Sequence, residues 1–189
     1  MRTHNLLSGL LLFALVGLLW GCSGIQVSQD YTVPSDFSAL KTYDWLTKIQ
    51  PETGDIRVDS SLLDSRIRSA IDASLSQEGY QRITQGKADF YVAYTYEIHS
   101  KVESSNVTVG FGMGSLGGYG ALGMNTGGNA REYDEGMLVI DLYDPSKENL
   151  LWRGIGTSRV DQHPKPEKAA ARIKEKVEKI LSQFPPQPD

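Results

Sequence analysis

A single cysteine, Cys22, stands among 189 residues, so no intrachain disulfide is possible. Histidine is almost as scarce. Beyond His4 there are only His99 and His163, far apart and without Cys or Glu at ligand spacing, so no metal site is expected. Positive charge is not in excess either: 19 Lys and Arg face 23 Asp and Glu, a formal −4. A nucleic-acid binder needs a basic face, so nucleic acid is not an expected partner. After the first 21 residues no apolar run is long enough to span a bilayer. No G-x-S-x-G elbow occurs, nothing singles out a Ser-His-Asp triad, and no 20–50-residue repeat is visible.

What is present begins at the amino terminus. Arg2 precedes Leu6 to Trp20, a stretch that is almost wholly apolar and carries no charge. A basic start followed by a short apolar run is the layout of a secretory signal. The run closes Leu19-Trp20-Gly21-Cys22, which resembles the lipobox of bacterial lipoproteins, with Trp20 larger than the pattern prefers. The expectation is a signal over residues 1–21, cleavage before Cys22 and lipidation of its thiol. Two or three acyl chains are needed for stable anchoring, because one holds only marginally. Residue 23 is Ser rather than Asp, which resembles the signal for transfer to the outer membrane. The implied partners are the membrane, through that lipid, and another envelope protein. Removal of Arg2 lowers the basic count by one to 18 against 23, a formal −5 for the mature chain.

The remaining residues suit one domain. Residues 22–29 read as a tether. In Phe37 to Leu46, Tyr43 and Trp45 stand two apart, the period that puts both rings on one face of a strand. Asp59-Ser60-Ser61 is placed to cap a helix over about 60–78, with Leu63, Ile67, Ala70, Ile71 and Leu75 in one stripe and Gly79 as its stop. Tyr80 to Thr84 reads as a short strand. Ala88 to Val102 carries bulk on both alternating sets, as a central strand does. Tyr133 to Tyr143 and Leu150 to Val160 form a hairpin around Asp144-Pro145-Ser146-Lys147-Glu148-Asn149. A final helix over about 166–183 carries Ala169, Ile173, Val177, Ile180, Leu181 and Phe184 and ends before Pro185-Pro186. The expected class is α+β, a largely antiparallel sheet with two amphipathic helices packed on it.

Three places carry candidate chemistry. From Gly110 to Gly128, nine of 19 residues are glycine, read as a loop that also offers apolar side chains. Within it Gly112-Met113-Gly114-Ser115-Leu116-Gly117 matches G-x-G-x-x-G. More glycines follow where the motif needs a helix, so no dinucleotide and no other cofactor is expected. Glu132, Asp134 and Glu135 form an acidic cluster. Such a cluster suits a solvated strand end, and the enzymatic alternative is a hydrolase or glycan-acting enzyme using the carboxylates near Asp134. Asp141 interrupts an apolar strand and calls for a cationic partner. Arg153, across the hairpin, is that candidate, in a structural ion pair that the adjacent Trp152 would shield from water. If Asp144 pairs with Asn149, Asp141 lies opposite Trp152 with Arg153 one position away; a one-residue bulge or shift would set Asp141 directly opposite Arg153, and either way the guanidinium reaches the carboxylate. With no catalytic constellation recognisable, a non-enzymatic binding or envelope-maintenance module is expected.

Several segments also carry a family resemblance. They are Asp30-Tyr31, Phe37…Lys41-Thr42-Tyr43-Asp44-Trp45, Glu78-Gly79-Tyr80, and Ala88-Asp89-Phe90-Tyr91-Val92. The hairpin adds Glu135-Gly136-Met137-Leu138-Val139-Ile140-Asp141-Leu142 with Leu151-Trp152-Arg153-Gly154, and the close adds Ile180-Leu181-Ser182-Gln183-Phe184-Pro185-Pro186. Together they resemble the DUF4136 family of bacterial lipoproteins over about residues 28–186. The resemblance implies a single envelope domain and brings no catalytic residues with it.

Overall fold

The computed structural model describes residues 24–33, 36–47, 52–104 and 130–187. Cys22 and the glycine-rich stretch over 110–128 therefore lie outside the described residues. The elements are β1 (Gln26–Tyr31), a 3-10 turn (Phe37–Ala39), β2 (Thr42–Trp45), α1 (Ser61–Gln77), β3 (Gln81–Arg82), β4 (Phe90–Ser104), β5 (Ala130–Tyr143), β6 (Leu150–Arg159) and α2 (Pro166–Leu181). One sheet holds all six strands in the order β1-β6-β5-β4-β2-β3.

The sheet is mixed, which corrects the expectation of a largely antiparallel one. β1, β6, β5 and β4 pair antiparallel in succession, whereas β2 pairs parallel with both β4 and β3. The reason is the crossover. α1 carries the chain from the end of β2 back to its beginning, so β3 starts again in the same direction. Alternation within a four-residue strand looks the same in either orientation and could not reveal this.

A second correction concerns the tether. Its last residues, Gln26 to Gln29, belong to β1, which pairs with β6 from Gln26↔Thr157 to Tyr31↔Trp152. All six β1 residues are exposed, so no burial pattern marked the strand. Its hold comes from the ladder and from the Trp152 indole, which donates to Gln29 Oε1 at 2.9 Å.

Strand alternation divides the sheet into two faces. Tyr43, Trp45, Phe90, Val92, Tyr94, Leu138, Ile140, Leu142 and Trp152 point to the side that both helices cover, and all are buried. Ile67, Ile71 and Leu75 of α1 and Ile173, Val177 and Ile180 of α2 close the core from above. Gly154 and Gly156 let α2 approach: a methyl group at either would press on Ile180, and at Gly154 also on Trp152. Phe184, just beyond α2, packs against Phe37, Tyr80, Phe90 and Trp152.

Local chemistry sets the helix ends. Gly79 takes φ +91°, the left-handed stop after α1. Ser60 occupies the cap position of α1 but its side chain makes no capping bond; Asp59 instead accepts from the Thr53 and Gly54 amides at 2.8 Å each. Pro166 opens α2, where its missing N–H costs nothing.

Candidate functional site

The face opposite the helices carries no covering layer among the described residues. Cross-strand partners share a face, so it is written as rows. One row runs Asp30–Arg153–Asp141–Ala93, the next Ser28–Ile155–Val139–Thr95, and a third Gln26–Thr157–Met137–Glu97. Apolar side chains occupy its middle and charged or polar ones its margins.

The hairpin register explains the charged row. Asp144 N–H donates to Asn149 O at 2.9 Å, and a shift between Leu142 and Tyr143 skips Leu151, so that Asp141 faces Arg153. Arg153 Nε donates to Asp141 Oδ1 at 2.6 Å and Nη2 to Oδ2 at 2.8 Å, a two-pronged pair. These hydrogen bonds raise the guanidinium pKa, against partial desolvation. The shielding expected from Trp152 is absent. Adjacent strand residues point oppositely, and Trp152 lies on the helix side. The Asp141 side chain is only 9% exposed, but that of Arg153 is 42% exposed, so water reaches the pair from one side.

The acidic cluster does not converge. Asp134 and Glu135 are neighbours on β5 and point to opposite faces. Asp134 Oδ2 accepts from Arg57 Nη1 at 2.8 Å and Oδ1 from Ser100 Oγ at 2.9 Å. Glu135 pairs with Lys101, whose pKa that bond raises. His99 lies beside Glu97 at 3.0 Å on the exposed face, and the exposed His163 is far from both along the chain. Among the described residues no group of three or more His, Cys, Asp or Glu is arranged to hold a metal ion. Between α1 and α2 runs a shallow groove lined by Ser65, Ser69, Ala73, Ala170, Lys174 and Glu178, where Lys174 and Glu178 form an exposed i,i+4 ion pair at 3.6 Å.

One group escaped the sequence reading. Lys176 is 2% exposed, donating from Nζ to the Gly136 carbonyl at 2.7 Å, with the Tyr96 ring 5.5 Å away. Its pKa is lowered to about 8, mainly by burial and further by Arg172, with Glu135 opposing. The available signal was spacing, because Lys176 falls within the Ile173, Val177, Ile180 stripe. Glycines two apart on β6, Gly154 and Gly156, marked where that helix would lie close.

A crystal structure of a PDZ domain protein from Parabacteroides distasonis superposes with a TM-score of 0.51 at 12% identity. It covers 87% of this chain, but this chain spans only 37% of that protein's length. The dodecameric PelC of Paraburkholderia phytofirmans, in two crystal forms, gives TM-scores of 0.46 and 0.44 at 13% and 14% identity. Each covers 84% of this chain and is itself covered to 95%. No curated protein matches the sequence. The match that identifies the chain spans residues 27–186, from the first paired strand to the prolines after α2, and by it the protein belongs to the DUF4136 family, a domain of unknown function.

Proposed function

We propose that this protein is a lipid-anchored module of the cell envelope that binds another envelope component through the uncovered face of its sheet. The anchor rests on Leu19-Trp20-Gly21-Cys22 at the end of a short uncharged apolar run. Localisation at the outer membrane, facing the periplasm, follows from Ser23. Among the described residues no helix is long and apolar enough to cross a membrane, so attachment through Cys22 is the route this reading needs.

The observation that carries the binding role is the face itself. Ile155, Val139 and Met137 sit half-buried on the side away from both helices, ringed by Thr95, Thr157 and the Asp141–Arg153 pair. An apolar middle with a paired polar margin is the anatomy of a protein interface. The rival, a hydrolase using carboxylates near Asp134, finds less support. Asp134 and Glu135 diverge, and each is neutralised by a cation.

Site-specific photo-crosslinking in intact cells tests the role. A photoreactive side chain at Thr95 or Ile155 should give one discrete adduct, and one at Ser69 or Gln77, on the helix side, should give none. Equal adducts from both sides, or none from the sheet, would remove the interface from this face.

A further inference from the structure

We infer that two copies of this chain pair antiparallel through the free edge of β1, with Gln29 of one copy opposite Gln29 of the other. This goes beyond the binding role proposed above, which uses the face of the sheet rather than its edge, and it does not rest on the anchor.

The first support is the direction of the backbone groups. An antiparallel strand turns the N–H and C=O of alternate residues toward each of its two sides. Just past β6, Val160 N–H donates to Asp134 O at 2.8 Å, so even-numbered residues of β6 face β5 and odd-numbered ones face β1. Their partners on β1 are Gln26, Ser28 and Asp30, and Thr32 continues the set by donating to Leu151 O at 3.0 Å. Val27, Gln29 and Tyr31 therefore turn their backbone groups away from β6, and no described strand pairs with that side. The Tyr31 N–H bears this out, since it bonds to the Asp30 carboxylate at 2.9 Å rather than to β6. The three outward residues are symmetric about Gln29. A second copy laid antiparallel with Gln29 on Gln29 sets Val27 opposite Tyr31 on both sides of a twofold axis and hydrogen-bonds all three residues of each strand. A slip of two residues loses at least one of these pairs, and a slip of one sets outward groups against inward ones.

The second support is the side chains that this register brings together. Val27 and Tyr31 lie on the helix side, beside Gly156 and Trp152, and are 38% and 37% exposed. Each would cover the other across the axis, an aromatic on a β-branched partner. On the opposite face Ser28 meets Asp30, so a hydroxyl takes up the carboxylate that the Tyr31 N–H releases. The third support is that β1 lacks the usual guards of an edge. It has no Lys, Arg or Pro, and its ladder with β6 is unbroken over six residues. The other edge of the sheet is guarded: β3 is two residues long and one of them is the exposed Arg82. A twofold axis normal to the sheet keeps equivalent residues level, so two copies anchored at Cys22 in one membrane can pair in this way.

The test uses the full chain in intact cells, expressed as two copies with different carboxy-terminal tags and a photoreactive side chain in place of Tyr31. Irradiation should give an adduct that carries both tags and joins the probe to residues 26–28 of the other copy. The same probe at Gln81, on the guarded edge, should give none. Charge exchange then tests the register, because residue 29 faces itself only in this one. With Gln29→Lys in both copies, or Gln29→Glu in both, like charges stand directly opposite and the adduct should fall about fivefold. With Gln29→Lys in one copy and Gln29→Glu in the other it should return. Both substitutions alter the acceptor of the Trp152 indole, so restoration in the mixed pair also shows that the fold survives them. Absence of a doubly tagged adduct from Tyr31, an adduct to a different protein alone, or an equal one from Gln81 overturns the inference. So do linkage to other residues and equal yields in all three charge combinations.

Discussion

The two faces of this sheet are built from the same strands and have opposite characters. On β5, Leu138, Ile140 and Leu142 are completely buried beneath the helices, while Val139 between them is half-covered and Asp141 meets Arg153 at the margin. On β6, Trp152 and the two glycines receive α2, while Arg153, Ile155 and Thr157 look outward. The covered face pays for the fold, and its residues are chosen by volume. On the uncovered face the apolar side chains of Ile155, Val139 and Met137 are neighbours rather than scattered.

The comparison breaks most readily at Trp152, which is fully buried among Phe184 and the α2 side chains. Trp152→Ala should cost about 3–5 kcal/mol, read as a lowered urea midpoint. A loss near that of a surface change would mean the covered face is not the core.

Lys176 sharpens the comparison, since it is a charge on the covered side. With its pKa lowered to about 8 from 10.5, the unfolded chain holds the proton between those values and the folded chain does not. Stability therefore rises with pH above 8, by at most about 1.4 kcal/mol per unit. In thermal unfolding from pH 7 to 9.5, wild type should gain relative to Lys176→Met, whose profile lacks this slope. Parallel profiles would show that Lys176 does not titrate in the folded state.

The Asp141–Arg153 pair belongs to the uncovered face and should behave so. Because water reaches Arg153, the coupling in a double-mutant cycle of Asp141→Ala and Arg153→Ala should be about 1 kcal/mol, well below that of a fully buried pair. Strict additivity would mean that no pair exists in solution. The smallest effect is expected at Ile155→Thr, within about 0.5 kcal/mol, combined with loss of any adduct formed from Thr95. A large destabilisation would make Ile155 a core residue.

Much of this division was legible in the sequence. Both helices, the hairpin and the pairing of Asp141 with Arg153 follow from periodicity and turn chemistry; the sequence left two registers open at the Asp144–Asn149 closure, and the shift between Leu142 and Tyr143 selects the one that sets the pair directly opposite. β1 was not legible, because six exposed residues carry no alternation of burial. The parallel pairing of β2 was hidden for a different reason: strand direction is decided by the α1 crossover and leaves no mark on Thr42-Tyr43-Asp44-Trp45. Trp152 was placed on the wrong side of the charge pair because chain adjacency was taken for spatial adjacency, although strand neighbours point apart. Buried Lys176 broke the rule that lysines line the solvent face, and its hydrogen-bond partner, the Gly136 carbonyl, is distant in sequence.

The central claim is that this domain works from a lipid at Cys22, and cell fractionation joined to mass spectrometry of the mature amino terminus tests it most directly. The account predicts a chain beginning at Cys22 with a thioether-linked diacylglycerol, found in the membrane pellet. It predicts that Cys22→Ser leaves the pellet and unfolds at the wild-type temperature. A Cys22→Ser protein that stays in the membrane, or a mature chain that begins elsewhere, would contradict it.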